Sequence, residues 1–254
     1  MFKPIAAIIG SLCVLSCTAG IASAAEIKVV AAGALRAAFA QLIPDFQKSA
    51  GHTVTITYGP AGAVAGRVEK GEAADVVFTG REQLATLEAR GKVAPGSRVN
   101  IAGVGMGVAV RKGAPKPDIG SLDAFKRSLL AAKSVGHVNP ATGSSSGIFT
   151  ASLLEKIGLA QTLRPKTRLG TFEELEHAVE KGEVEIQIGQ ATELVSAPAL
   201  EYAGPLPAEI QNITQYAAGV VSYGKIPDAA KAFINFISTP AAVGVFKAKG
   251  YEPG

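Results

Sequence analysis

The sequence predicts an α/β fold of two lobes with a ligand cleft between them, and three observations carry that prediction. Short apolar, β-branched runs alternate with apolar-periodic stretches of helical length along most of the chain. The pentapeptide Val68-Glu69-Lys70-Gly71-Glu72 and its echo Val179-Glu180-Lys181-Gly182-Glu183 each stand between a helix and a strand, one in each half. Three strand-to-helix turns, Ala31–Arg36, Tyr58–Ala63 and Asn139–Gly147, share a design of small residues opening a helix. A helix start leaves backbone N–H groups unpaired and carries roughly half a positive charge, so several converging starts would hold an anion without a metal. In paired α/β lobes, ligands sit beyond the C-terminal ends of the strands, where the lobes meet.

Residues 1–24 read as a cleavable export signal: Lys3, the apolar stretch Ile5–Leu15, and the small-residue site Ala22-Ser23-Ala24. Val14-Leu15-Ser16-Cys17 is a rival lipoprotein box in which Leu15 is an unusual fit, so release as a free protein is the expectation. Both cysteines, Cys13 and Cys17, lie in this segment, which excludes a disulfide framework and a thiol nucleophile from the mature chain. Ile27–Ala31 then reads as a strand, and Leu35–Lys48 as a helix with Leu35, Phe39, Leu42, Ile43 and Phe46 on one face. A strand at Thr53–Tyr58, a helix at Ala61–Lys70 ending on Gly71, and a near-continuous apolar strand at Asp75–Thr79 follow. A helix over Gln83–Arg90 is closed by Gly91, and Val99–Arg111 is strand-rich. After a loop at Gly113–Gly120 come a helix (Leu122–Ala132), a strand (Ser134–Val138), and the serine-rich turn into a helix over Ser146–Ile157. A helix at Phe172–Lys181 and a strand at Glu185–Gly189 precede a proline-bearing segment, Pro198–Pro207, which leads to Gln211–Ser222. Two helices, Pro227–Ile237 and Pro240–Lys249, each with proline in the first turn, close the chain.

Charge narrows the function. Loss of residues 1–24 removes only Lys3, leaving a formal net charge of +3 with both signs interspersed. No basic run or basic–aromatic alternation supports nucleic-acid binding. His52, His137 and His177 are unrelated in spacing, no metal or cofactor motif appears, and no serine–histidine–acid order or phosphate loop is present.

The Ala31–Leu35 turn, Gly59-Pro60-Ala61-Gly62, Glu69–Phe78, Asn139-Pro140 and the closing Ala229–Ala241 together resemble the periplasmic molybdate-binding protein family, type II solute-binding proteins of ABC importers. The resemblance covers essentially the whole mature chain. It implies lobe 1 from 25–103, lobe 2 from 104–210, and a crossover and return to lobe 1 over 211–254, with two crossovers, Val99–Val110 and Gln211–Ser222, that close the lobes by hinge motion. It also implies a periplasmic monomer that takes a small anionic solute and works with an ABC permease in the inner membrane.

The family's oxyanion site does not carry over intact. The resemblance puts serines of the first two turns on Ala34 and Ala61, a tyrosine on Gln190, and two mainly backbone-donating positions near Ser146 and Phe172. Each lost hydrogen bond to a charged ligand costs about 1.5–3 kcal/mol, so two lost serines weaken oxyanion binding by on the order of 100-fold. The chain gains Arg36, whose planar donor fork suits carboxylates, and the hydroxyls of Thr142, Ser144, Ser145 and Ser146. The candidate ligand-binding set is therefore Ala34, Arg36, Ala61, Gly62, Thr142, Ser144, Ser145, Ser146, Phe172 and Gln190, and the expected ligand is a di- or tricarboxylate rather than molybdate.

Some members similar to this family are aconitate isomerases, so a cofactor-independent isomerase is one alternative, and a rearranged molybdate or tungstate site is another. Transport is the leading expectation. An isomerase needs a base, which the sequence does not single out; Glu193 and His137 are the candidates, with His137 in an apolar strand reading better as a core residue.

Overall fold

The computed structural model describes residues 24–254; the export signal and lipoprotein box, apart from Ala24, lie outside the described residues. The chain forms β1 (Glu26–Ala32), a 3₁₀ turn at Gly33–Leu35 running into α1 (Arg36–Ala50), β2 (Thr53–Gly59), α2 (Ala61–Glu69), β3 (Val76–Gly80), α3 (Arg81–Ala89) and β4 (Val99–Arg111). Next come α4 (Leu122–Ala131), β5 (Val135–Val138), α5 (Ser145–Lys156), α6 (Ala160–Leu163), β6 (Thr167–Gly170), α7 (Phe172–Glu180), β7 (Ile186–Gln190) and α8 (Ala191–Ser196). The remaining elements are β8 (Leu200–Pro205), β9 (Ile213–Val220), α9 (Pro227–Ile237), α10 (Pro240–Ala248) and β10 (Glu252–Pro253).

The strands run in the order β2-β1-β3-β9-β4-β7-β5-β6, with β8 and β10 also paired to β4. Parallel triplets, β2-β1-β3 and β6-β5-β7, sit at either end, and the antiparallel strands β4 and β9 join them. The first part of β4, Val99–Gly105, pairs with β9, whereas Met106–Arg111 pairs with β7 and β8. The chain thus changes lobe within one strand.

Each lobe buries both sheet faces, which is why its strands are nearly continuous apolar runs. In lobe 1, Val29, Ala31, Val76 and Phe78 face α1, α9 and α10 through Phe39, Phe46, Phe233 and Phe246. The alternate residues Val30 and Val77 face α2 and α3 through Val64, Val68, Leu84 and Leu87. Lobe 2 repeats the plan, with Phe125, Leu129, Leu153 and Leu163 on one face and Ala178, Val179 and Leu194 on the other. Among the described residues no single helix is long and apolar enough to cross a membrane.

The pentapeptide echo is an echo in geometry. Gly71 and Gly182 follow α2 and α7 with φ of 81° and 75°, and both N–H groups donate three residues back, to Val68 and Val179, at 3.0 Å. The following residues, Glu72 and Glu183, donate to Arg67 and Ala178, so both helices end in the same glycine-dependent cap.

The sequence pattern does not foresee α6, β6, α8 and β8. The Thr167–Gly170 strand carries no buried residue and sits at the sheet edge, so no apolar alternation marks it. The helix α8 spans only 6 residues, below the length at which helical periodicity is legible.

Candidate functional site

Four helices of nine residues or more begin around one cavity between the lobes, of about 250 Å³. Ala34, just ahead of α1, Ala61 at the start of α2, Ser145 at the start of α5 and Phe172 at the start of α7 all line it. The two lobe 1 starts have no side-chain cap, so no side chain takes their first N–H groups; at α2 the Gly62 N–H goes to the Gly143 carbonyl. The lobe 2 starts are capped. Ser144 accepts from Gly147 N–H at 3.3 Å, and Thr171 and Glu174 form a reciprocal capping box. All four contribute positive partial charge toward the same volume.

Arg36 begins α1 at the cavity mouth. Its guanidinium lies 4.5 Å from the centre of the Tyr58 ring, and its Nη2 stands 3.3 Å from Glu173 Oε1 across the cleft. The Arg36 and Glu173 side chains are 57% and 68% exposed, so this pair is screened and weak. Burial pushes the Tyr58 phenol up to about 12, with Arg36 opposing, so the ring stays neutral beneath the cation.

Deeper in, the amide of Gln190, the last residue of β7, meets the buried phenol of Tyr216 on β9. The amide nitrogen donates at 2.6 Å, and the phenol hydroxyl reaches Oε1 at 2.9 Å. Ser144 and Ser146 share a hydrogen bond of 3.0 Å, and Ser145 lies beside Tyr216. Burial, reinforced by Glu193, pushes the Tyr216 phenol up, so it acts as a neutral donor or acceptor.

Glu193, in the first turn of α8, also lines the cavity. Burial, then the charge of Glu173, push its carboxyl up to about 7, with Arg36 opposing. A side chain at position 33 would crowd it, since a Cβ added to Gly33 would lie 3.0 Å from Glu193 Oε1.

Besides the Gln190–Tyr216 pair at the floor, three contacts join the lobes around this volume. Gly62 N–H donates to the Gly143 carbonyl at 2.9 Å, the Thr192 hydroxyl donates to the Ala34 carbonyl at 3.1 Å, and Arg36 faces Glu173. A Cβ on Gly62 would stand 2.6 Å from the Gly143 carbonyl oxygen, so only glycine permits this approach.

The structure therefore brings together Ala34, Arg36, Ala61, Ser144, Ser145, Ser146, Phe172 and Gln190 around the cavity. Two expected residues stand outside the lining. Thr142 turns its hydroxyl back to the Asn139 carbonyl at 2.7 Å, completing its own turn, and Gly62 serves lobe contact instead. His137 is buried in lobe 2, its Nδ1 against the Val138 carbonyl at 3.0 Å, and burial lowers its pKa; it does not line the cavity. Sequence reasoning missed Tyr58, Thr171, Glu173 and Tyr216. Tyr58 is the first residue of an identified turn and Thr171 immediately precedes an identified helix, a signal that was available. Tyr216 lies within a crossover strand and carries no local mark.

Over 231 residues the chain is 30% identical to the aconitate isomerase of Pseudomonas sp., covering 89% of this chain and 87% of that protein. It is 25% identical to the molybdate-binding protein ModA of Azotobacter vinelandii, with 91% of each covered. The periplasmic molybdate-binding protein structure from Azotobacter vinelandii superposes with a TM-score of 0.76 at 22% identity, covering 90% of this chain and 99% of that one, which shows the two-lobed periplasmic binding protein fold. The family model described as bacterial extracellular solute-binding protein matches residues 27–252, and the chain belongs to that family.

Proposed function

We propose that the cavity receives a small di- or tricarboxylate in the periplasm. The observation that carries this reading is the make-up of the wall. Ala34 and Ala61 stand where the resemblance puts hydroxyl donors, while a guanidinium, three serine hydroxyls and four helix starts face the same volume. Charge spread over separate carboxylates can engage Arg36 at the mouth and the helix starts on both lobes together, whereas a compact dianion needs all its donors at one point. Capture followed by delivery to a membrane permease is the role that family membership favours.

Calorimetric titration with molybdate, sulfate, succinate, citrate, trans-aconitate and tricarballylate tests the ligand class. A tricarboxylate binding at least about tenfold tighter than molybdate is the expected result. Tight molybdate binding with no response to carboxylates would refute it and restore the oxyanion reading.

A second reading, catalysis on the bound acid, is favoured by a specific observation: Glu193 places a carboxyl group of near-neutral pKa in the wall, where a passive anion receptor gains nothing from it. The similarity to an aconitate isomerase points the same way. Incubation of the purified protein with trans-aconitate and no added cofactor, followed for the cis isomer, separates the two readings. Binding without turnover leaves capture for transport.

A further inference from the structure

The inference here rests on the carboxylate reading of the cavity and assigns a task within it. Two carboxylates line both the central cavity and a second opening of about 350 Å³ on the outer side of the same wall. Glu173 is one, exposed and paired with Arg36. Glu193 is the other. It is partly buried, and among the described residues its carboxylate accepts no hydrogen bond and joins no ion pair. The groups that face it are Arg36, Glu173 and the phenols of Tyr216 and Tyr251, and bare Gly33 leaves it room. An acid so placed touches the ligand space on one side and an opening to solvent on the other.

We propose that Glu193 is the catalytic residue that carries the proton when the carbon–carbon double bond of a tricarboxylate bound in this cavity is moved. The Glu193 carboxylate takes a proton from the methylene carbon that lies between a carboxylate and the double bond. That C–H bond breaks, and its electron pair spreads over the three-carbon allyl unit and the adjoining carboxylates. Protonated Glu193 then delivers a proton to the far carbon of the unit, a new C–H bond forms there, and the double bond shifts by one position. Glu193 ends as the carboxylate, and nothing is oxidised or reduced. The charge that develops is met by Arg36 and by the N–H groups at the starts of α1, α2, α5 and α7. Burial raises the basicity of Glu193 toward neutrality, which suits a group that must both take and return a proton. Because it borders the outer opening, the protonated form can exchange with solvent while a ligand occupies the cleft.

The test follows trans-aconitate in D2O by proton NMR, reading deuterium uptake at the methylene carbon and the appearance of the cis isomer. Parallel titrations use tricarballylate, a saturated tricarboxylate with no double bond to move. Wild-type protein is expected to deuterate and isomerise. The near-isosteric E193Q is expected to lose both by at least about 100-fold, while its tricarballylate affinity stays within about tenfold of wild type. E193D, which withdraws the acid by one methylene, is expected to retain binding and a pH–rate profile with an ionisation, but to slow exchange by about tenfold or more. Should E193Q fail to fold, E193D decides: slowed exchange with binding retained supports the assignment, and unchanged exchange overturns it. Exchange in E193Q within about threefold of wild type also overturns it, since a general base contributes about 100-fold or more. Wild-type protein that binds tricarballylate yet neither deuterates nor isomerises trans-aconitate overturns the assignment and leaves the carboxylate reading standing. If wild type binds no tricarboxylate, both fall.

Discussion

Replacing Glu193 by glutamine is expected to stabilise the protein above neutral pH and to do nothing in mild acid. The folded carboxyl is pushed up to about 7 from its ordinary 4.5, so below 4.5 it is protonated in both folded and unfolded chains. Between these values the folded chain holds a proton that the unfolded chain has released. Wild-type stability contributed by this group therefore falls as pH rises through that window, and above about 7 the cost is constant. At about 1.4 kcal/mol per pH unit the whole interval corresponds to about 3 kcal/mol. The carboxylate is only partly buried and borders two openings to solvent, so screening trims this to about 1–2 kcal/mol. Glutamine keeps the shape without the charge. Thermal unfolding of ligand-free E193Q should then exceed wild type by about 2–8 °C near pH 8, for a chain of this size, and match it near pH 4.5. A difference in melting temperature that stays flat across this range would refute the claim that the cavity wall raises the Glu193 pKa.

Three more outcomes are expected. Gly62→Ala places a Cβ 2.6 Å from the Gly143 carbonyl oxygen, and backbone lies on both sides, so the lobes must part at that rim and lose a hydrogen bond. Carboxylate affinity should drop about tenfold, and small-angle scattering should report a more open ligand-free form. Arg36→Ala removes the guanidinium over Tyr58 and should weaken tricarballylate binding by about 1.5–3 kcal/mol; its melting temperature should move little, because the Arg36–Glu173 pair is exposed. The double variant A34S/A61S restores two hydroxyl donors to the wall and should raise molybdate affinity at least about tenfold over wild type, measured by titration; no change would show that these positions do not select the ligand.

The alternation of apolar runs and periodic stretches was enough to locate the parallel strands other than β6 and the longer helices, because the inner strands β1, β3, β5 and β7 bury nearly continuous apolar runs and the edge strand β2 keeps a regular alternation of exposed and half-buried residues. Elements that bury little were invisible: β6 has no fully buried residue, and α8 is too short. The pentapeptide echo held more information than pattern alone. In lobe 1 the order is strand, helix, strand, helix, strand, helix from β1 to α3. The echo aligns α2–β3 with α7–β7, and extending that alignment calls for a strand where β6 lies and a helix where α8 lies. The turns pointed to the helix starts that line the cavity, since small residues before a helix mark backbone open to a ligand. Tyr216 was not legible in that way, because it reaches the cavity from a crossover strand whose placement depends on how the lobes pack, and no local spacing encodes it. Glu193 was legible only as a candidate base, from its place three residues past a strand end.

Gly62, Gly143 and Thr192 hold the lobes together from outside the cavity lining, and this has an energetic consequence. The Gly62–Gly143 and Thr192–Ala34 hydrogen bonds contribute about 0.5–1.5 kcal/mol each, and the exposed Arg36–Glu173 pair about 0–1 kcal/mol. Such a sum, about 1–4 kcal/mol before the entropy lost by holding the lobes together, is small enough for a ligand to tip. A ligand shifts open against closed only by its difference in affinity for the two forms. One seated between Ala34 and Ala61 on one lobe and Ser145 and Phe172 on the other gains its second set of N–H donors only on closure. Changes at Gly62 or Thr192 therefore scale the affinity for every ligand by the same population factor, whereas changes at Ala34, Arg36, Ala61 or Glu193 alter the ranking among ligands. Tyr216 joins the two groups. It sits on the crossover strand β9 yet pairs with Gln190 of lobe 2 at the cavity floor, so a ligand that engages this phenol touches a strand that joins the two lobes.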